Sequence, residues 1–221
     1  MNQKASTTEE NYLKALYSLS DENREVSISS LSQALGVSNP TANSMVKRLS
    51  EKKWVEYKKY KPIRITEQGY KLAASIIRKH RLTEMYLVEK MGFGWEEVHE
   101  IAEQLEHLRS EAFFKKMDEI LGSPLTDPHG SPIPDKNGEV MKSNHTQLSR
   151  VRKGQKAVLK ALNDSSKEFL EFLNSKSIEL NLIIEVLEVE TFDKSMRLSF
   201  SNGETHLLSN EVTKRLLVNI I

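Results

Sequence analysis

The chain has 221 residues, of which 38% are hydrophobic and 29% charged, a composition that suits one large globular domain or two to three small ones. No run of the sequence approaches the roughly 18 consecutive apolar residues of a membrane-spanning helix, and residues 1–10 lack the apolar stretch of a secretory signal. The absence of cysteine excludes disulfides, cysteine-based zinc sites and thiol catalysis, and the whole pattern favours a cytoplasmic protein.

The formal net charge of +1 conceals two blocks of opposite charge. Residues 43–64 contain eight Lys or Arg and two Glu, a net charge of +6, whereas residues 84–119 contain ten acidic and four basic side chains, a net charge of −6. This division predicts two kinds of partner, a polyanion for the basic block and a cation for the acidic block.

Three helices are predicted at the start of the chain. Apolar residues recur at helical spacing over 8–19, with Thr8 as the expected N-cap. A short helix is predicted over 29–35 and a further helix from 38 to about 53. Pro40 falls in the first turn of that helix, where a missing N–H costs nothing.

Two short strands and two long helices follow. Residues 54–57 and 63–65 alternate in the manner of strands and are separated by the basic tip 58–62. The next helix is predicted from 66 to about 89, and after a glycine-containing turn another long helix is predicted over 95–121.

The remainder of the chain changes character. Residues 122–138 contain four of the six prolines and three glycines, which predicts a linker or an extended crossing segment. From about residue 147, short apolar runs predict a small, mainly β, barrel-like domain with one helix over 166–174. The apolar runs are 157–159, 182–189, 196–200 and 206–208.

The order helix, short helix, turn, helix and basic two-strand hairpin predicts a winged helix-turn-helix. In such a unit the second small helix enters the major groove of DNA, and residues at its start reach base edges. The residues expected to contact bases are Ser38, Asn39, Pro40, Thr41 and Ser44. The residues expected to contact phosphates are Lys47, Arg48, Lys58, Lys59 and Lys61. A solvated charged surface is the alternative interpretation of the same basic residues.

Nitrogen and oxygen donors suited to a divalent transition metal are concentrated in the acidic block and just before it. His80 and Glu84 are spaced i, i+4, so both project from one helix face. Further donors fall along one stripe of the next predicted helix: His99, Glu103, Glu106 and His107. A polar stripe is also what any amphipathic surface helix shows, but the combination of histidines and carboxylates at ligand spacing favours a metal site.

Five stretches of the sequence resemble the diphtheria-toxin-repressor family of metal-dependent regulators, which includes the manganese transport regulators. They are residues 8–17, 31–49, 78–84, 98–107 and 127–134.

The resemblance covers nearly the whole chain and implies a mainly α fold in three parts. These are a winged helix-turn-helix over 1–70, a helical dimerisation and metal-binding domain with a Pro-rich end over 71–140, and a small SH3-like (FeoA-like) β domain over 147–221. It further implies a homodimer that binds double-stranded operator DNA and represses metal-uptake genes, without an enzymatic activity, a membrane partner or a small organic substrate.

The resemblance also implies two metal sites in each subunit. An ancillary site would use His80, Glu84 and His99, completed from the third domain by Glu168 or, as a weaker candidate, Asp164. A primary sensing site would use Asn11, Glu103, Glu106 and His107.

Two residues depart from the family pattern. Asn11 stands where the family usually has methionine or aspartate, and Lys14 stands where manganese-responsive members often have a carboxylate. Glu103 bears on metal choice, because iron-responsive relatives tend to have a sulfur ligand there, and hard oxygen donors suit Mn(II) better. The sequence therefore favours Mn(II), with Fe(II) second.

Three alternatives stay open at this point. The chain could be an iron-dependent repressor of the same family, or a winged-helix regulator whose metal is only structural or absent. It could also be a metal-dependent hydrolase, although 99–103 has a glutamate where the H-E-x-x-H motif needs its second histidine. Six apolar residues form either a dimer seam or plain core: Val98, Ile101, Leu105, Leu108, Phe113 and Met117.

Overall fold

The amino-terminal helices begin at well-defined caps. The computed structural model describes residues 4–20, 23–59, 61–141 and 143–221. Helix α1, Thr7–Leu19, is capped by Ser6, whose hydroxyl accepts from the Glu9 N–H while the Glu9 carboxylate accepts from the Ser6 N–H. The prediction of Thr8 as the cap was wrong, because this reciprocal pair of hydrogen bonds places the cap two residues earlier, at Ser6.

Two short helices follow, as predicted. Helix α2 is Ile28–Ala34 and helix α3 is Asn39–Glu51. The Ser38 hydroxyl accepts from the Thr41 N–H at 3.3 Å and caps α3. The turn between the two helices includes Gly36 at φ +62, a conformation in which glycine avoids the strain of a side chain.

A small antiparallel sheet completes this part of the chain. Its strands are β1, Glu25–Val26, β2, Val55–Glu56, and β3, Ile63–Ile65, in the order β1-β3-β2. The two later strands were predicted, whereas β1 is too short to produce a detectable alternation. Buried apolar side chains of the helices and strands form one core, which includes Leu13, Leu16, Leu31, Val46, Leu49, Trp54 and Ile63.

Three further helices are α4, Glu67–Met91, α5, His99–Leu105, and α6, Glu111–Ile120. The prediction of one helix over 95–121 was wrong. A turn separates α5 from α6, and the Ser110 hydroxyl accepts from the Phe113 N–H at the start of α6. Such a side-chain bond offers the backbone an alternative to continued helix.

The last third of the chain is an antiparallel sheet with two helices. Its six strands have the order β4-β9-β5-β6-β7-β8. They are β4, Thr146–Gln147, β5, Lys156–Leu162, β6, Ile183–Val189, β7, Met196–Phe200, β8, Thr205–Leu208, and β9, Leu216–Ile220. Helix α7, Lys167–Asn174, lies between β5 and β6, and helix α8, Asn210–Thr213, between β8 and β9. Inward-facing residues of the sheet and Phe169, Leu170 and Leu173 of α7 share one core.

The chain divides into two compact units. The first unit contains Met1–Thr83, Ala102–Lys116 and Ile133–Val140, and the second contains Glu84–Ile101, Met117–Pro132 and Met141–Ile221. Within the described residues, none of the helices combines the length and the apolar character needed to cross a bilayer.

The six apolar residues proposed as seam or core do not behave alike. Val98 and Met117 are buried within the chain, whereas Leu108 and Phe113 are 43% and 42% exposed. Part of the set is therefore core, and part is free to pack against another surface.

Candidate metal centre and nucleic-acid interface

The first unit brings three potential ligands together. One donor atom from each of His80, Glu103 and Glu106 lies within 4.8 Å of the other two. We call this group the first centre. The Lys14 ammonium of α1 enters it, donating to Glu106 Oε1 at 2.9 Å and Oε2 at 3.0 Å, and it also contacts the Glu103 carboxylate directly. The first centre thus already contains a protein cation.

Glu106 is the most buried member of the first centre, with no exposed side-chain surface. His80 Nδ1 lies 2.6 Å from Glu106 Oε2. Burial raises the pKa of the Glu106 carboxyl, but the hydrogen bond with His80 and the charge of Lys14 outweigh burial and leave that pKa below its usual range. The carboxylate is therefore ionised at neutral pH.

His107 and Asn11 are the two other residues of the predicted primary site, and each has its own surroundings. His107 Nδ1 is 2.6 Å from Glu10 Oε2, and its Nε2 is 3.5 Å from Glu106 Oε1. Glu106 follows α5 directly, and its N–H still donates to the Ala102 carbonyl at 2.9 Å, so it continues the helical turn that carries Glu103; His107 lies in the turn beyond. Among the described residues, no hydrogen-bond donor reaches the buried Asn11 Oδ1. That oxygen is an available acceptor or ligand on α1.

The second unit contains a group that sequence reasoning missed. Glu84, Asp127 and His129 are all buried, and one donor atom from each lies within 4.8 Å of the others. His129 Nδ1 is 4.0 Å from both Glu84 Oε2 and Asp127 Oδ1. We call this group the second centre. Asp127 and His129 belong to the Pro-rich segment, where their i, i+2 spacing is a signal from which no ligand was predicted.

Hydrogen bonds fix the ring of His129 and its tautomer. His129 Nε2 lies 2.9 Å from the Trp95 carbonyl oxygen, and the two rings stack at a centroid distance of 6.0 Å. Because a carbonyl oxygen only accepts, Nε2 carries the hydrogen, and in the neutral ring Nδ1 keeps its lone pair. Nδ1 faces the two carboxylates, an arrangement that metal-binding histidines typically show.

The Asp127 carboxylate also shapes the loop that bears it. Asp127 Oδ1 accepts from the N–H groups of His129 and Ser131, each at 2.9 Å. The His129 carbonyl in turn accepts from the Leu162 N–H at 2.9 Å, which ties the loop to β5. The donors of the second centre are therefore held before any ion binds.

Two other members of the predicted ancillary site lie side by side. His99 Nδ1 is 3.3 Å from Glu84 Oε1 in the second unit. A cavity of about 470 Å³ in the second unit is lined by both His99 and Asp164. Glu168 is exposed in the first turn of α7 and is not part of this lining, and Asp164 Oδ2 lies 3.2 Å from Arg215 Nη1.

The residues predicted to contact DNA are all exposed, and several of them share one groove. A groove of about 760 Å³ is lined by residues at the start of α2, by residues of α3 and by the loop between β2 and β3. Among the predicted residues, its lining includes Asn39, Pro40, Lys47, Lys59 and Lys61.

The same groove contains residues that the sequence did not single out. Tyr57 and Asn43 line it, and the Tyr57 hydroxyl donates to Asn43 Oδ1 at 2.5 Å. Asn39 Oδ1 accepts from the Ser32 hydroxyl, which leaves the amide nitrogen of Asn39 as the free donor of that side chain. Arg48 is turned toward Glu9, at 3.6 Å, and is less suited to a phosphate contact than the lysines.

Two family models match adjoining parts of the chain. Residues 4–63 match the N-terminal DNA-binding domain of iron-dependent repressors, and residues 66–135 match the metal-binding and dimerisation domain of the same proteins.

Curated relatives carry the same descriptions. The iron-dependent repressor IdeR of Mycobacterium tuberculosis is 36% identical over 134 residues, which are 61% of this chain and 58% of that protein. The diphtheria toxin repressor of Corynebacterium glutamicum is 28% identical over 185 residues, 84% of this chain and 76% of that protein. The chain thus spans less than two thirds of the first of these relatives.

Solved structures extend the similarity to nearly the whole chain. A manganese-dependent transcriptional repressor in complex with manganese has a TM-score of 0.87 at 30% identity, covering 96% of this chain and 99% of that one. The repressor ScaR with bound Cd²⁺ has a TM-score of 0.79 at 30% identity with the same coverage.

Proposed function

The chain belongs to the iron-dependent repressor family, and we propose that it is a divalent-metal-dependent transcriptional repressor that controls metal-uptake genes in the cytoplasm. It has the N-terminal DNA-binding domain, the helical dimerisation domain and the C-terminal β-sheet domain of that family. The members of the family that it matches are repressors and not enzymes.

The second centre is the observation on which the metal dependence rests. It combines a buried imidazole, with its lone pair turned inward, and two buried carboxylates. Burying two carboxylates is costly unless a cation or hydrogen bonds compensate them. A divalent ion bound to Glu84, Asp127 and His129 would supply two positive charges, and nitrogen with oxygen donors suits Mn(II) or Fe(II).

We propose two metal sites in each subunit. The first centre forms one of them, with Asn11 and His107 as further proposed ligands. The second centre, extended by His99 and Asp164, forms the other. Mn(II) is preferred over Fe(II), because carboxylate oxygens outnumber imidazole nitrogens in each centre and the chain has no cysteine to supply a soft thiolate.

The groove beside α3 supports the DNA-binding part of the proposal. We propose that α2, α3, β2 and β3 form a winged helix-turn-helix whose α3 enters the major groove of the operator. Lys47, Lys59 and Lys61 lie on the groove that would face the duplex, where their charges contribute affinity regardless of base sequence.

Dimerisation and metal binding complete the proposed mechanism. A homodimer would present two reading helices to successive major grooves, with exposed Leu108 and Phe113 as part of its seam. The ion would stabilise the arrangement in which both helices fit the operator, and DNA and metal affinities would then be coupled reciprocally. We further propose that the C-terminal sheet domain is SH3-like.

Fluorescence anisotropy with duplex DNA from the region upstream of its own gene tests the proposal. We expect Mn(II) to tighten binding by about 5- to 150-fold relative to chelator-treated protein, the range of a coupling free energy of about 1–3 kcal/mol. Equal affinity with Mn(II) and with chelator would refute metal control and favour a winged-helix regulator with at most a structural ion. Activation by Fe(II) alone, measured anaerobically, would make it an iron-dependent repressor.

Variants of the second centre make the test specific. Asp127→Asn combined with His129→Ala removes two donors, and we expect it to reduce the effect of Mn(II) on DNA affinity. Glu111→Ala is the matched control, because Glu111 is an exposed carboxylate at the start of α6. A loss of Mn(II) response in both variants would indicate a general charge effect and not a metal site.

A further inference from the structure

Lys14 occupies the place in the first centre where a bound cation would be expected. Its ammonium group contacts both oxygens of Glu106 and also the carboxylate of Glu103. The side chain of Lys14 is 19% exposed, and that of Glu106 is fully buried. This is a largely desolvated ion pair, which is screened much less than a pair on the surface.

A divalent ion and this ammonium group cannot use the same carboxylates together. Metal–oxygen bonds are about 2.0–2.2 Å long, so an ion bound to Glu106 would lie within a few ångströms of an ammonium group 2.9 Å and 3.0 Å from the same two oxygens. At such a separation the repulsion between the two cations is large in a buried site. Binding at the first centre must therefore expel Lys14.

We propose that Lys14 is a tethered cation that substitutes for a divalent ion at the first centre. Its charge links α1 to residues 103–106 without metal, and Mn(II) binds there only by exchange with the ammonium group. The first centre consequently has a lower affinity for Mn(II) than its own donor atoms would give. This inference rests on the proposed metal-dependent function and names the residue that limits one of its two sites.

Asn11 supports the exchange. It precedes Lys14 by three residues on α1, so both side chains project from the same helix face. Among the residues described, none donates a hydrogen bond to the buried Asn11 Oδ1. A carbonyl-type oxygen can ligate a hard cation, and this one is available when the ammonium group leaves. The site therefore retains donors for an ion even though a lysine fills it.

The test measures Mn(II) binding to the full chain by the loss of the electron paramagnetic resonance signal of free Mn(II). The second centre is disabled by Asp127→Asn with His129→Ala, so that the first centre is observed alone. In this background we expect Lys14→Met to increase Mn(II) affinity by about 10- to 150-fold, because the ion no longer has to break the charge-assisted hydrogen bonds of the ammonium group. Lys14→Arg, which keeps the charge, should stay close to the lysine form.

A matched control separates this effect from a general change of charge. Lys79→Met also removes one lysine from the first unit, but the Lys79 ammonium group donates to the Leu108 carbonyl and lies over the Phe114 ring. We expect it to leave Mn(II) affinity unchanged. An equal gain in Lys79→Met and Lys14→Met would overturn the proposal, and so would an unchanged or weaker affinity in Lys14→Met.

Thermal unfolding of the metal-free protein gives a second readout. Lys14→Met should lower the melting temperature, because the carboxylates lose their cation, and Mn(II) should restore more stability to this variant than to the parent chain. If Lys14→Met does not fold without metal, Lys14→Gln, which keeps a hydrogen-bond donor, takes its place in both assays. Failure of the parent chain with both centres intact to bind Mn(II) would instead count against the proposed function itself.

Discussion

Gly130 is the backbone position on which the geometry of the second centre most depends. It follows His129 directly and has φ +85, a conformation that costs an L-residue about 1–2 kcal/mol. A Cβ added there would lie 2.2 Å from the Lys160 carbonyl oxygen and 2.5 Å from the Ala161 Cα. Both atoms are backbone of β5, so neither can rotate away.

We expect Gly130→Ala to destabilise the metal-free protein by about 1–5 kcal/mol. Backbone strain contributes about 1–2 kcal/mol, and overpacking against β5 adds about 1–3 kcal/mol. The smaller backbone entropy of unfolded alanine offsets about 0.4–1 kcal/mol of this cost. Urea denaturation followed by tryptophan fluorescence measures the difference as a shift of midpoint at constant slope.

Gly154→Ala separates the cost of backbone strain at positive φ from the cost of overpacking against β5. Gly154 has φ +82, nearly the same as Gly130, but an added Cβ would meet no atom within 4 Å. We expect this control to cost about 1 kcal/mol or less. Gly130→Ala should also weaken Mn(II) binding at the second centre, although it removes no donor atom. If both variants lost the same stability, the reasoning about contact with β5 would be refuted.

Three further outcomes are expected. Lys59→Ala and Lys61→Ala should each weaken binding to all DNA duplexes to the same extent. Each should also reduce the slope of log affinity against log salt concentration by about 1 in anisotropy titrations. An unchanged slope would exclude a phosphate contact. Glu168→Ala should leave Mn(II) affinity unchanged, because this side chain is exposed and lies outside the lining of the cavity beside His99. Hydrogen bonds from the backbone and side chain of Ser195 hold the pKa of Asp193 below its ordinary value. The ionised Asp193 therefore stabilises the fold at any pH above the ordinary pKa of an aspartate. This stabilisation is lost as the pH falls through the lowered pKa of the folded protein. Carboxyl NMR titration of Ser195→Ala should place the Asp193 pKa closer to normal, and an unshifted titration would contradict this assignment.

Local signals predicted most of the secondary structure. Ser38 as the cap of α3, Pro40 in the first turn of that helix and the strand Met196–Phe200 are all confirmed. Each of these features depends on neighbours within a few residues, which the sequence displays directly. The break between α5 and α6 was missed, because periodicity continues through it and only the hydrogen bond at Ser110 marks the new helix.

The candidate metal sites could likewise be predicted only in part. The histidine and carboxylate side chains and their i, i+4 spacing indicated a metal-binding protein, because both features can be seen within a single helical stretch of the sequence. The membership of each site was not predictable, because it depends on contacts between residues far apart in the sequence. Lys14 reaches Glu106 across 92 positions, and Glu10 reaches His107 across 97.

The sequence by itself determined which segments the chain contains: a basic segment with a helix-turn-helix pattern, an acidic block with histidines, a proline-rich segment and a terminal β region. These follow from composition and periodicity, which local chemistry dictates. The tertiary structure alone decided that a lysine fills the first centre and that Asp127 and His129 join Glu84 in the second. Whether carboxylates receive a protein cation or remain available to a metal ion depends on distances of a few ångströms, and only folding establishes those distances.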